Sequence, residues 1–179
     1  MNWDKDIDSQ FAQGDFSGLQ TTGSYVVHPP VGKWLIALGM ALWGPESSVG
    51  WRFSTAVAGT LGVLLVVLVG WRLLRSQTLG VLAGLLLAVD GMAVVLSRTG
   101  LLDVFIMLFA LLAFWLILKD RDLMDRRLET RMRLPVGHGP TGAPIYPSRQ
   151  WGPGLGMRWY LLGAGVSLGL ACGVKWSGL

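Results

Sequence analysis

His28 and Lys33 in HPPVGKW, Arg52 in a Trp-Arg pair, Arg98 and Asp103 in SRTGLLD, and Lys175 in GVKW are the side chains whose type and placement could do chemistry. Each stands at the edge of an apolar segment. A charge at the centre of a membrane costs roughly 2.5 to 3.5 kcal/mol on insertion scales and less near the interface, so cations at that depth suit an anionic lipid headgroup. Internal pairing is the competing reading. Arg98 and Asp103 are near enough in sequence to bridge one another, and Lys33 and Lys175 could snorkel, with their stems in the apolar layer and their ammonium groups in water. No HExxH, GxxxxGK or supported Ser-His-Asp arrangement occurs, so neither a hydrolytic nor a metal motif is present. His138 has no second ligand at metal-binding spacing.

The stretch that positions His28 and Lys33 is Tyr25 to Trp43, apolar enough to seek a membrane but too short to cross one, since a span takes roughly 20 residues in a helix. Pro29 and Pro30 hold the chain extended ahead of them, so a helix is expected over residues 30–43, lying in the interface between Trp34 and Trp43. Gly44 to Gly50 reads as a turn, with Arg52 at the head of the run Phe53 to Trp71, which ends at Arg72 and Arg75. A second run, Leu79 to Ser97, is interrupted only by Asp90 and closes at Arg98. Asp90 is expected to face the bundle interior in a structural role. Asp103 sits in the first turn of a third run, which stops at Lys119, and Lys175 closes a fourth that begins at Trp159. The glycines at 59 and 62, 80 and 84, and 165 and 169 could let helices approach closely.

Between the third and fourth runs lies one long polar segment. Its first part, KDRDLMDRRLETRMR, can prolong the helix beyond the bilayer with opposite charges at helical spacing, such as Asp122 with Arg126. The remainder is too rich in Pro and Gly for regular structure.

The composition agrees with this reading. Of 179 residues 52% are apolar, nine are Trp, and the mean hydropathy is +0.51, which describes a membrane protein. The lone Cys172 excludes a disulfide framework. A net charge of +4 does not indicate nucleic acid, because the bases cluster where helices leave the membrane. Ten of them (Arg72, Arg75 and the eight from Lys119 to Arg158) fall on one side and five on the other, so the ten are expected in the cytoplasm. The expected fold is an all-α membrane bundle. Residues 1–52 form an outer loop carrying the interfacial helix, 53–118 three transmembrane helices, 119–158 a cytoplasmic loop and 159–179 a fourth span. An outward-facing amino terminus without a positively charged start and apolar core is expected to follow a further helix not in this sequence.

HPPVGKW (28–34), the Trp51-Arg52 pair, SRTGLLD (97–103) and GLACGVKWSGL (169–179), in that order, resemble the dolichyl- or polyprenyl-phosphate-mannose protein O-mannosyltransferases, with the bacterial branch nearest. The lipid A aminoarabinose transferases resemble it more distantly. The resemblance implies a GT-C glycosyltransferase of the plasma membrane with its active face outside. It would transfer mannose from polyprenyl-phosphate-mannose to Ser or Thr of exported acceptor proteins, with inversion. It implies donor-phosphate roles for Lys33, Lys175 and Arg98, site-shaping roles for Arg52 and Asp103, and a place for His28 at the border of the donor pocket. In that family the carboxylate that takes the acceptor proton belongs to an Asp-Glu pair ahead of the HPP motif. Asp4, Asp6, Asp8 and Asp15 have no adjacent Glu, so the chain as given is expected to be an internal fragment that does not transfer mannose. The resemblance leaves any divalent metal open. A rival from another class, a small multi-pass transporter or assembly subunit, needs polar or broken helices at the midplane and has only Asp90 to offer.

Overall fold

The computed structural model describes residues 13, 28–44, 46–133, 137–138, 140–142, 144–145 and 156–175. The readings for most of Met1 to Ser24, for Tyr25 to Val27 and for Trp176 to Leu179 lie outside the described residues. Among the described residues six helices make up the bundle: α1 Val31–Trp43, α2 Ser48–Leu74, α3 Gln77–Val89, α4 Gly91–Arg98, α5 Asp103–Arg133 and α6 Trp159–Val174.

Local signals set most of the boundaries. Pro30 is the amino-terminal cap of α1, and its carbonyl accepts the first helical bond from the Trp34 amide at 2.9 Å. Gly44, at φ +87°, ends α1, a conformation that a side chain would resist. Ser47 and Ser76 cap α2 and α3, their hydroxyls accepting from the amides of Val49 and Leu79. The expected turn up to Gly50 is therefore shorter, because the Ser47 cap starts α2 at Ser48. Arg75 closes α2 in the left-handed region at φ 53°.

The second apolar run is not one straight helix. It bends by 63° between α3 and α4, and Asp90 lies at the break, exposed, with its carboxylate accepting from the Ala93 amide at 2.8 Å. Its side chain caps α4 instead of facing the interior, because an Asp that can bond its own backbone favours a helix start over a helix middle. By contrast, α5 runs unbroken through the charged stretch to Arg133, as that composition predicts. The Pro- and Gly-rich remainder holds one short antiparallel pairing, Gly137–His138 (β1) with Pro144–Ile145 (β2), where the sequence suggested no regular structure. Gly142, at φ +76°, lies in the intervening turn.

Small residues line the helix seams and many large apolar ones face outward, while Val104, Phe105 and Val174 fill one buried cluster with Ala58. Thr55, Ala58, Ala113, Ala164, Ser167 and Ala171 are buried, while Leu64, Leu85, Leu86, Val89, Leu162 and Val166 are exposed. A water-soluble fold would not expose so many large apolar side chains together. In lipid the tails solvate Leu as well as the protein does, so helices associate where small residues let backbones meet. At Gly80 a Cβ would lie 2.6 Å from the Trp71 amide nitrogen and 2.8 Å from the Val67 carbonyl, so α2 and α3 touch backbone to backbone. Gly59, Gly62 and Gly84 also face neighbouring helices, whereas Gly165 and Gly169 meet nothing within 4 Å. The seam of α6 uses Ala164, Ser167, Ala171 and Val174 instead. Buried hydroxyls are satisfied within their own helices: Thr55 donates to the Arg52 carbonyl at 2.9 Å and Ser167 to the Gly163 carbonyl at 2.9 Å. Among the described residues one helix, α2, is long and apolar enough to cross a membrane, or two spans if the bent α3 and α4 count as one.

Candidate functional site

One end of the bundle collects the residues singled out by the sequence. The start of α1 packs against the end of α6 and the turn ahead of α5. A Cβ at Gly32 would lie 2.6 Å from Leu102 Cδ2 and 3.1 Å from Val174 Cγ1, and one at Gly173 would lie 2.7 Å from Val31 Cγ2. Lys33 follows Gly32 and Lys175 follows Val174, so two lysines flank the same tight crossing. Lys33 is exposed, with no ion pair to any described residue. Lys175 Nζ donates to Asp103 Oδ1 at 3.0 Å. Both charges sit where helix dipoles favour them, the carboxylate in the first turn of α5 and the ammonium just past the end of α6.

The turn between α4 and α5 joins this end. Gly100, at φ +66°, lies against Trp51, whose ring carbon Cε3 would be 3.1 Å from a Cβ there. Arg52 stacks its guanidinium over the Trp51 ring, 4.4 Å from the centroid. Arg98, in the last turn of α4, lies at a groove of about 350 Å³ lined by Ala56, Gly59, Leu87, Val94 and Met107, between α2 and the bent pair. His28, three residues ahead of α1, has Nδ1 buried without a hydrogen-bond partner among the described residues.

The Arg98–Asp103 bridge that the competing reading allowed does not form. Arg98 closes one helix and Asp103 opens the next, with Gly100 reversing the chain between them, so they share no helix face. Asp103 pairs instead across 72 residues with Lys175, which is therefore held by a carboxylate and does not simply snorkel. His28, Lys33, Arg52, Arg98, Asp103 and Lys175 all lie on elements that meet at this end. Trp51 supports both Arg52 and the Gly100 turn, a role that spacing alone does not reveal. An aromatic residue directly before an Arg at a helix start was the available signal.

At the opposite end, Arg158 donates through Nε to Asp120 Oδ2 at 2.9 Å, and Asp120 is buried with Oδ1 unpartnered among the described residues. Asp122 does not pair with Arg126, as its spacing suggested. The Arg72 guanidinium reaches it from α2, with Nε 2.8 Å from Oδ2, and that hydrogen bond holds the Asp122 carboxyl below the usual carboxylate range. Asp103 to Asp120 and Arg158 to Lys175 are both 17 residues apart, about 25 Å of helix. The α5–α6 pair is thus tied by ions at both ends of an apolar stretch nearly as long as a bilayer's hydrocarbon core is thick.

Chemically, the first end offers two lysines and two arginines, with one carboxylate already paired to Lys175. Such a set can hold a phosphate and stabilise charge developing on it. Among the described residues it offers no free carboxylate to take a proton.

The family described as dolichyl-phosphate-mannose-protein mannosyltransferase matches residues 27–125. The chain is 49% identical over 164 residues to the polyprenol-phosphate-mannose–protein mannosyltransferase of Mycolicibacterium smegmatis, 46% to that of Mycobacterium tuberculosis and 37% to that of Corynebacterium glutamicum. Each alignment covers 90% of this chain and 30% of the relative, so the chain spans about a third of the length of these proteins. No solved structure matches it. The match over residues 27–125 carries the HPPVGKW, Trp51-Arg52 and SRTGLLD segments that converge at one end of the bundle, and the chain belongs to the dolichyl-phosphate-mannose-protein mannosyltransferase family.

Proposed function

We propose that this chain forms the donor-phosphate side of a GT-C mannosyltransferase active site, acting on polyprenyl-phosphate-mannose and on Ser or Thr hydroxyls of exported proteins. The observation that carries the reading is the Lys175–Asp103 pair at the bundle end where Lys33, Arg52 and Arg98 also stand. In the inverting transfer the acceptor oxygen attacks the anomeric carbon, the bond from that carbon to the phosphate oxygen breaks, and the phosphate leaves with the electron pair. The acceptor proton passes to a carboxylate. Lys33 and Lys175 meet the growing negative charge on the leaving phosphate, with Arg98 as a third cation at the mouth of its groove. Asp103 orients Lys175 through its Oδ1, and the proton-accepting carboxylate is a different residue. Arg52, stacked on Trp51, and His28 shape the rim.

In this reading α1 lies in the outer interface, α2, the bent α3–α4 pair, α5 and α6 cross the plasma membrane, and the Lys33–Lys175 end faces outward. The ion pairs about 25 Å apart on α5 and α6 and the outward-facing leucines support that placement. The test is Lys33 in the full-length protein. Lys33→Gln is expected to lose transfer at saturating donor while still accumulating in membranes, and Lys33→Arg to keep part of it, since charge survives but the compact ammonium does not. Near-normal turnover in Lys33→Gln would remove Lys33 from the phosphate site.

A further inference from the structure

At the end of the bundle away from Lys175, a cavity of about 470 Å³ is lined by Leu68, Trp71, Arg72, Arg75, Trp115 and Lys119. Its walls come from two helices only, the last turns of α2 and the middle of α5. Leu68 and the two indoles make an apolar floor, and the cations stand around it. The three cations are not equivalent. Arg72 is occupied by Asp122, whereas Arg75 and Lys119 have no ion pair among the described residues, and Lys119 lies over the Trp115 ring, 4.8 Å from its centroid. The neighbouring acid Asp120 is taken by Arg158. The cavity therefore carries two positive charges without a salt bridge, over an apolar and aromatic base.

Lys119 is 16 residues along α5 from Asp103, about 24 Å, so this cavity sits at the other membrane boundary from the proposed donor site. Tryptophans at that depth mark the interface, and the outer row of α2, with Leu61 and Leu64 exposed, is apolar in the direction of the membrane interior. Arg75 is the residue that ends α2 in the left-handed conformation, which directs the chain out of the helix at the level where headgroups begin.

We propose that this cavity binds an anionic phospholipid, its phosphate between Arg75 and Lys119 and an acyl chain along Leu68 and the exposed face of α2. The site is separate from the mannose donor site, and the proposal rests only on the chain's being embedded in a membrane. A free phosphate ion shares the headgroup chemistry but would leave the Leu68, Trp71 and Trp115 floor uncovered. The apolar floor and the interfacial depth therefore favour a lipid.

The test is native mass spectrometry of the delipidated protein in detergent, titrated separately with phosphatidylglycerol, phosphatidylcholine and inorganic phosphate. Phosphatidylglycerol is expected to bind well above phosphatidylcholine. Arg75→Asn with Lys119→Gln should lower that affinity by about 25-fold, at about 5-fold for each basic residue removed at a membrane surface. Asn is chosen because it tolerates the left-handed conformation. Lys119→Gln alone, on a helix surface where folding does not depend on it, should lose about 5-fold. The charge-keeping pair Arg75→Lys with Lys119→Arg should bind nearly as the parent does. Unchanged phosphatidylglycerol binding in Lys119→Gln and in the double variant would mean lipid of the general annulus and overturn the proposal. So would equal binding of phosphatidylcholine, or displacement of phosphatidylglycerol by millimolar inorganic phosphate.

Discussion

Replacing Lys175 separates a structural lysine from a catalytic one, because the structure limits what the first can do. The side chains of Lys175 and Asp103 are 31% and 45% exposed, so their ion pair is screened and contributes about 0.2 to 1 kcal/mol to stability. If joining α6 to α5 is its whole purpose, Lys175→Ala and Asp103→Asn should each cost that amount, and the double variant little more than either. Turnover by the folded protein should then stay within about 5-fold of the parent, since 1 kcal/mol is no more than that. A lysine that meets the leaving phosphate predicts a different scale. Losing such a charge-assisted contact costs about 2 to 4 kcal/mol of barrier, or about 30- to 1000-fold in kcat. Asp103→Asn should then be milder than Lys175→Ala, since the cation survives and only its aim is lost. The assay is transfer of mannose from labelled polyprenyl-phosphate-mannose to a Ser/Thr peptide by the full-length protein at saturating donor, with membrane accumulation measured on the same samples. A Lys175→Ala enzyme within 5-fold of the parent, or an Asp103→Asn enzyme worse than it, would refute the reasoning.

Further substitutions test the rest of the architecture. Gly80→Ala should destabilise the α2–α3 hairpin by about 1 to 3 kcal/mol, because its Cβ would meet the Trp71 and Val67 backbone, while Gly165→Ala should be neutral or gain up to about 1 kcal/mol of helix propensity; unfolding in mixed SDS micelles measures both. Arg158→Met should cost about 3 kcal/mol in the same assay by leaving Asp120 buried and unpaired, and Asp120→Asn distinctly less; equal losses would contradict the pairing. The Asp122 carboxyl is depressed in the folded chain, so its stabilisation is full above the unfolded value near 3.8 and lost as pH falls through the folded value. The stability difference between the parent and Arg72→Gln should therefore hold at neutral pH and shrink below about pH 4. For sidedness, cysteines at Gln13 and Thr141 in a Cys172→Ser background should react with an impermeant thiol reagent from outside and not at all, respectively; the reverse pattern would invert the proposed orientation.

What the sequence determined by itself was local or compositional. Pro29 and Pro30 delay α1, the charged stretch after Lys119 prolongs α5, and the apolar stretch from Trp159 to Val174 is the helix read from it, because each depends on neighbours a few residues away. The membrane character follows from composition, and the family from ordered motifs that survive without any knowledge of contacts. Which charges meet was decided only by the tertiary structure. Asp103 lies five residues from Arg98 yet bonds Lys175, and Asp122 lies one helical turn from Arg126 yet bonds Arg72 across 50 residues. Spacing along a helix says only which partners are within reach. The choice among them is set by which helix ends adjoin, and that is fixed by the Gly32–Val174 and Gly80–Trp71 crossings, where missing side chains let backbones close. The same cause separates the glycines that pack from Gly165 and Gly169, which face outward: all are alike in sequence, and only the rotation of each helix about its axis decides which face a neighbour.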